Sequence, residues 1–163
     1  MSLIKGIESA NAEYSDKFTK GDLSLPPAKK AVIIHCMDAR IDPSTSLGFQ
    51  EGDVHVIRNA GGRASDALRS VIISQRLLGT REIIILHHTD CGMLTFTDDK
   101  LRNILKEETG QSVDHISFLP FGDLKQSVLD DVKFLQDNPL VLDVPITGYI
   151  YDVKTGKIHK VDR

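Results

Sequence analysis

Three side chains with strong affinity for transition metals follow two apolar stretches of the sequence. Cys36 comes directly after residues 31–35, and His88 and Cys91 follow residues 82–87. Thiolates and imidazoles are common zinc ligands in proteins, and structural zinc sites fill all four positions with such ligands. Two cysteines and one histidine leave one position free. The residue types therefore predict a catalytic site in which Cys36, His88 and Cys91 bind Zn²⁺.

Each of these residues also has an ordinary structural interpretation. A single cysteine at a strand end is usually a small buried apolar residue, and a single histidine is usually hydrogen-bonded in the core or at the surface. A redox pair is another option, although neither cysteine belongs to a C-x-x-C motif. We favour metal binding because three suitable ligands occur at two strand ends. We expect the other histidines in the core (His35, His87) or in solvent (His55, His115, His159).

An acidic and a basic residue lie two and four positions after Cys36. Asp38 and Arg40 are close enough to form an ion pair, which at a protein surface contributes little to stability. The functional interpretation is that Arg40 holds Asp38 and keeps its carboxylate ionised. Asp38 then orients the solvent molecule at the open zinc position. Alternatively, Asp38 occupies that position itself and closes the site.

Composition excludes several other classes of protein. At 163 residues, roughly 70% of the unfolded surface becomes buried on folding, so any metal is expected to be functional rather than structural. The net charge of −3, with no stripe of lysine and arginine, argues against nucleic acid as a partner. Neither a signal peptide nor an apolar run of about 20 residues is present. We therefore expect no membrane partner and a cytoplasmic location.

The apolar pattern predicts an α/β fold, with a central, mostly parallel sheet flanked by helices. Nearly continuous apolar runs at 31–35 and 82–87 are typical of strands covered on both faces. The remaining predicted elements are a strand at 54–58, a helix capped by Ser65 or Asp66 and ended by Gly79, helices at about 98–109 and 123–137, and a C-terminal edge hairpin of residues 148–153 and 158–161. In such sheets, ligands bind at the carboxyl ends of the strands, where the candidate zinc ligands lie.

We expect residues 1–163 to form one domain, whose first helix lies apart from the rest. Apolar residues recur at helical spacing over about 2–18, and a polar segment at 25–30 separates them from the first strand. The apolar stripe of this helix packs either on its own core or on a partner subunit. We favour the partner subunit.

The candidate site residues form a pattern that resembles the signature of the β-class carbonic anhydrases, in their compact branch: Cys36-x-Asp38-x-Arg40 followed by His88-x-x-Cys91. Residues 58–62 and 87–93 extend the resemblance. It implies zinc-dependent, reversible hydration of carbon dioxide to bicarbonate and a proton, with Asp38 and Arg40 as the catalytic pair. It also implies a homodimer or homotetramer, with the N-terminal helix on the neighbouring subunit.

Two alternative functions use the same ligands. The compact branch also resembles hydrolases of carbonyl sulfide and carbon disulfide. A zinc-binding regulatory protein without turnover would have Asp38 as a permanent fourth ligand. In some family members the aspartate binds zinc only in an inactive, closed state, and the resemblance implies the same for Asp38. The chain departs from members with a tryptophan-lined bicarbonate pocket, because it has no tryptophan.

Overall fold

The computed structural model describes residues 2–162, whose five strands form one sheet. In chain order the strands are β1 (Ala31–Cys36), β2 (His55–Asn59), β3 (Glu82–His88), β4 (Ile146–Tyr151) and β5 (Ile158–Lys160). The helices are α1 (Leu3–Ser15), α2 (Pro43–Leu47), α3 (Ala64–Leu78), α4 (Asp98–Thr109) and α5 (Leu124–Gln136). The sheet order is β2-β1-β3-β4-β5, and only the β4–β5 pair is antiparallel. The predicted α/β fold with a C-terminal edge hairpin is confirmed.

Helices α3 and α5 form the main core with one face of the sheet. The buried apolar side chains of this core come from β1, β3 and the two helices: Val32, Ile34, Ile83, Ile85, Ala64, Ala67, Val71, Val128 and Leu135. Complete burial of a valine, leucine or isoleucine side chain stabilises a fold by about 1.5–3 kcal/mol. The core therefore fixes where the strands lie, and with them the strand ends.

Parallel pairing brings the carboxyl ends of three strands to one edge of the sheet. His35 pairs with Leu86, which places the last residues of β1 and β3 side by side. On the other side of β1, Cys36 pairs with Asn59, the last residue of β2. The loops that follow these strands consequently start from neighbouring points.

The start of α3 differs from the sequence prediction. The helix begins at Ala64, so the predicted caps Ser65 and Asp66 lie inside its first turn. The side chain of Arg63, the preceding residue, makes no capping hydrogen bond. Instead, the Ala64 N–H donates to Oδ2 of Asp131 on α5, over 3.1 Å. The prediction was wrong because the acceptor lies 67 positions away, where no local pattern reveals it.

The first strand of the C-terminal hairpin, β4, lies two residues earlier than predicted. One short helix, α2, was not predicted. β4 occupies 146–151 rather than 148–153 because its first residues pair with β3. Asp152 already belongs to the hairpin turn, since its carbonyl accepts the N–H of Gly156 over 2.8 Å. Helix α2 has only five residues, and the side chain of Asp42 caps it.

Helix α1 forms where predicted, but with no buried residue and with a C-terminal end at Ser15. The hydroxyl group of Tyr14 donates to the carboxylate of Glu51 over 3.2 Å. Most of the apolar stripe of α1 faces solvent, so the chain's own core does not cover this helix. None of the helices in the described range is long and apolar enough to cross a membrane.

Gly148 marks a close approach between β4 and α5. A Cβ atom at this position would lie 2.3 Å from Cγ1 of Val128. We expect Gly148→Ala to lower the free energy of unfolding by about 1–3 kcal/mol, because the added methyl group overpacks the core. Urea denaturation measures this change. The control Gly122→Ala, which meets no atom within 4 Å, should change it by less than about 0.5 kcal/mol. Equal effects of the two substitutions would contradict this account.

Candidate metal centre

The three predicted zinc ligands come together at the carboxyl edge of the sheet. Cys36 ends β1, His88 ends β3, and Cys91 lies in the loop after β3. All three residues are buried, and their ligand atoms lie within 4.8 Å of one another. The loop includes Asp90, which adopts a left-handed φ of 56°. We call Cys36, His88 and Cys91 the ligand triangle.

The geometry and chemistry of the ligand triangle fit a zinc ion. The sulfur atoms of Cys36 and Cys91 are 4.0 Å apart, and tetrahedral zinc geometry places two sulfur ligands about 3.8 Å apart. Nε2 of His88 is buried without a hydrogen-bond partner. Its Nδ1–H donates to the carbonyl oxygen of Thr89 over 2.9 Å, which leaves the lone pair on Nε2, as in many metal-binding histidines. The triangle therefore presents two sulfur ligands and one free nitrogen lone pair.

Hydrogen bonds to the sulfur of Cys36 favour its thiolate form, the form that binds metals. One is the contact with the sulfur of Cys91, and the N–H of Gly61 donates another over 3.4 Å. The contact with Cys91 is the main cause of the lowered pKa of Cys36. The same contact, together with burial, raises the pKa of Cys91. The two thiols therefore differ in acidity, and a bound metal ion would favour the thiolate form of both.

The glycine-rich loop after β2 packs directly on Cys36. Gly61 and Gly62 have positive φ values of 80° and 68°. A Cβ atom on Gly62 would lie 3.0 Å from the backbone nitrogen of Cys36, so a larger residue would push the loop away. This close approach lets the Gly61 N–H reach the Cys36 sulfur.

Asp38 and Arg40 form the predicted ion pair, next to the ligand triangle. Nε and Nη2 of Arg40 donate to the two carboxylate oxygens of Asp38, over 2.9 and 2.7 Å. These hydrogen bonds hold the pKa of Asp38 well below its usual range, so the carboxylate is ionised at neutral pH. Oδ2 of Asp38 lies 3.8 Å from Nε2 of His88. At this distance the carboxylate can orient a solvent molecule, and a small movement would make it a fourth ligand.

A buried polar cluster that we did not predict surrounds His87. His87 is fully buried, as predicted, with Nδ1 2.8 Å from Oγ of Ser127 and Nε2 3.1 Å from Oδ2 of Asp131. Nε2 also lies 3.3 Å from the carbonyl oxygen of Gly62. Since a backbone carbonyl can only accept a hydrogen bond, we assign the ring proton to Nε2. The cluster thus connects α5 to the glycine-rich loop.

Two of these cluster residues left a weak signal in the sequence. Ser127 and Asp131 lie four positions apart on the buried side of α5, beside Val128 and Leu135. Polar side chains on the apolar face of a helix need buried partners. Asp131 finds such partners in His87, the Ala64 N–H and Arg63. The pattern could have indicated buried partners, but it could not identify them.

Apolar side chains close one side of the metal centre. Met93 packs against the two cysteines, together with the partly buried Phe96 and Phe121. The two phenylalanines also line an adjacent cavity of about 550 Å³. These side chains give the metal centre an apolar surface on this side.

The other histidines lie outside the ligand triangle. His35 is buried as predicted, and desolvation lowers its pKa to about 4. His115 and His159 are exposed, also as predicted. The prediction for His55 was wrong, because it is half-buried and its Nδ1 lies 2.7 Å from Oγ of Ser74.

We expect Cys36→Ser and His88→Ala each to weaken zinc binding by more than about 100-fold, since even outer-shell partners contribute 10- to 100-fold. Competition with a chromophoric chelator measures this affinity in purified protein. The matched control is His159→Ala, which removes an exposed histidine and should leave the affinity unchanged. Full zinc affinity in Cys36→Ser would contradict its assignment as a ligand.

Comparisons with known proteins agree with the site. The carbonic anhydrase family model matches residues 31–119, which include the whole ligand triangle. Beta-carbonic anhydrase 1 from Mycobacterium tuberculosis is 47% identical over 155 residues, covering 93% of each chain. The structure of a carbonic anhydrase from Glaciozyma antarctica is 48% identical, with a TM-score of 0.92 over 99% of this chain and 100% of the other.

The similarity extends to an enzyme with a different substrate. A carbon disulfide hydrolase from an Acidianus species is 34% identical, covering 91% of this chain and 83% of its own length. The carbonic anhydrases are thus more similar to this chain in sequence than that hydrolase, and they cover it nearly end to end. The chain belongs to the β-class carbonic anhydrases, a family of zinc-dependent lyases.

Proposed function

We propose that this protein catalyses the reversible hydration of carbon dioxide to bicarbonate and a proton. The observation that carries the proposal is the position of the Asp38 carboxylate, which Arg40 holds 3.8 Å from a nitrogen of the ligand triangle. Hydration needs an activated water molecule, a group that orients it, and an apolar place for the gas. The residues around the ligand triangle can meet all three needs.

The ligand triangle would hold zinc. When bound, zinc acts as a Lewis acid and can lower the pKa of water from 15.7 to about 7, as in the carbonic anhydrases that use three histidines. The two thiolates of this site donate more negative charge than imidazoles would, so we expect a somewhat higher pKa of the water.

Cys36 and Cys91 are free thiols, and for this reason we place the protein in the reducing cytoplasm.

Asp38 and Arg40 would position the attacking water. Because the Asp38 carboxylate is ionised, it can only accept hydrogen bonds. It therefore fixes one hydrogen of the water and leaves an oxygen lone pair directed away from the carboxylate, toward the substrate. Arg40 keeps the carboxylate in place and ionised through two hydrogen bonds. Holding the reactants in this geometry lowers the entropic part of the barrier.

Carbon dioxide would lie against the apolar surface of the metal centre. The molecule has no net charge, and Met93, Phe96 and Phe121 offer apolar surface beside the two cysteines. These side chains also keep other water molecules from competing for the site. Bicarbonate is charged, so the same apolar side chains bind it less favourably and its release is favoured.

Two other functions remain as alternatives, each with its own supporting observation. The similarity to a carbon disulfide hydrolase supports hydrolysis of carbon disulfide or carbonyl sulfide at the same site. The short distance between Asp38 and His88 supports a regulatory zinc protein, in which Asp38 permanently fills the fourth position. We favour carbon dioxide because the carbonic anhydrases share more of the sequence.

We expect the zinc-loaded protein to hydrate carbon dioxide in stopped-flow assays between pH 7 and 9. Asp38→Ala should keep its zinc but lose about 100-fold in kcat, because the water is no longer oriented. The control Asp162→Ala removes an exposed carboxylate that pairs with Lys160 and should retain full activity. Unchanged activity in Asp38→Ala would show that Asp38 has no catalytic role.

The same assays separate the alternatives. Carbon disulfide and carbonyl sulfide are tested in parallel with carbon dioxide. If kcat/KM for either sulfur compound is higher than for carbon dioxide, that sulfur compound is the main substrate. Complete zinc loading without turnover of any of the three compounds would favour the regulatory protein.

We also propose that α1 packs on a neighbouring subunit in a homodimer or homotetramer. Leu3, Ile4 and Ile7 lie on one side of the helix. Their side chains are 80%, 67% and 59% exposed. A row of exposed aliphatic side chains is unfavourable in water and marks an interaction surface. A second copy of the chain is the partner that the family resemblance implies.

We expect the purified protein to have the mass of two or four chains in light scattering. Replacing Ile4 and Ile7 together by serine should weaken the assembly, because it removes apolar surface from the interface. Leu140→Ser changes a comparably exposed side chain in the segment between α5 and β4 and serves as the control. A monomeric wild-type protein would contradict the proposed assembly.

A further inference from the structure

Arg40 is held from two sides, although only one side faces the ligand triangle. Toward the triangle, its Nε and Nη2 donate to the carboxylate of Asp38. On the other side, Nη1 donates to Oδ2 of Asp90 over 2.8 Å, and Nη2 donates to the carbonyl oxygen of Asp90 over 3.0 Å. One guanidinium group thus joins two carboxylates that come from different loops.

Asp90 has a left-handed backbone conformation. Its φ of 56° lies in the left-handed region, which few residues other than glycine, asparagine and aspartate adopt easily. The bend lies directly before Cys91, so the loop that supplies a metal ligand also presents both acceptors to Arg40. Asp90 therefore ties the Asp38–Arg40 pair to the loop of the ligand triangle.

We propose that Asp90 is a positioning residue, which anchors Arg40 and thereby keeps the Asp38 carboxylate turned toward the solvent position rather than onto the metal. This inference rests on the proposed catalytic roles of Asp38 and Arg40. The movement that Asp90 opposes is short, because Oδ2 of Asp38 is only 3.8 Å from Nε2 of His88. Arg40 would have to follow Asp38 or release it, and its bonds to Asp90 resist both.

The simpler interpretation is an ordinary surface ion pair. The side chain of Asp90 is 72% exposed and that of Arg40 is 47% exposed, and exposed pairs contribute little to stability. The two interpretations differ in how Asp90 depends on Asp38. A surface pair acts independently of Asp38, whereas an anchor has no effect once Asp38 is absent. A double-mutant cycle measures this dependence.

Two substitutions at Asp90 preserve the backbone. Asparagine and glycine both tolerate the left-handed conformation, so Asp90→Asn removes the charge and Asp90→Gly removes the side chain. We expect kcat/KM for carbon dioxide to fall by about 5-fold in Asp90→Asn, which corresponds to the upper end of the free energies measured for exposed ion pairs. The fall should be larger in Asp90→Gly. The matched control Asp162→Asn neutralises another exposed, ion-paired aspartate and should have no effect.

Anion binding gives a readout that does not depend on turnover. In the cobalt-substituted protein, azide competes with Asp38 for the open metal position, and the visible spectrum reports its binding. If Asp38 occupies that position more often in Asp90→Gly, the apparent azide Kd must rise in proportion. In the Asp38→Ala background, Asp90→Gly should change neither the azide Kd nor the residual kcat/KM.

The outcomes separate this inference from the proposed function. Losses that are equal with and without Asp38, or the absence of any loss in Asp90→Gly, would overturn the role of Asp90. If Asp38→Ala itself is fully active, the proposed roles of Asp38 and Arg40 fail instead. Losses that disappear in the Asp38→Ala background support the anchor.

Discussion

The pairing of β1 with β3 is the interaction on which the metal centre depends. Their register places Cys36 and His88 at the same edge of the sheet, and a slip of one residue would turn every side chain of a strand to the opposite face. The core prevents such a slip, because Val32 and Ile34 on β1 pack beneath α3 and α5 with apolar side chains of β3. Apolar packing in the core thus positions the strand ends that carry Cys36 and His88.

The charges at this edge explain why the remaining parts are needed. Two thiolates and the Asp38 carboxylate would repel one another if all were ionised without a metal ion. The contact between the two sulfur atoms raises the pKa of Cys91, and Arg40 offsets the charge of Asp38. The Gly61 N–H adds a neutral donor to Cys36. Metal ions bind thiolates rather than thiols, so metal binding and thiol deprotonation are coupled.

The sequence predicted the features that depend on local spacing and missed those that depend on contacts between distant segments. The ligands and the Asp38–Arg40 pair follow directly from strand ends and short spacings. The start of α3 was mispredicted because its acceptor is Asp131, on another helix. The partner of His87 is the same Asp131, 44 positions away. The burial of His55 depends likewise on Ser74, which lies on α3.

The metal centre combines residues on strands with residues on a loop. Cys36 and His88 lie on buried strands whose backbone hydrogen bonds fix them. Asp38 and Arg40 lie on the loop after β1, outside the sheet, so side-chain hydrogen bonds rather than strand pairing hold them. The Asp38 carboxylate can therefore change position without disturbing the strands that carry Cys36 and His88. In the structure, the hydrogen bonds of Arg40 to Asp38 and Asp90 hold the pair in one arrangement.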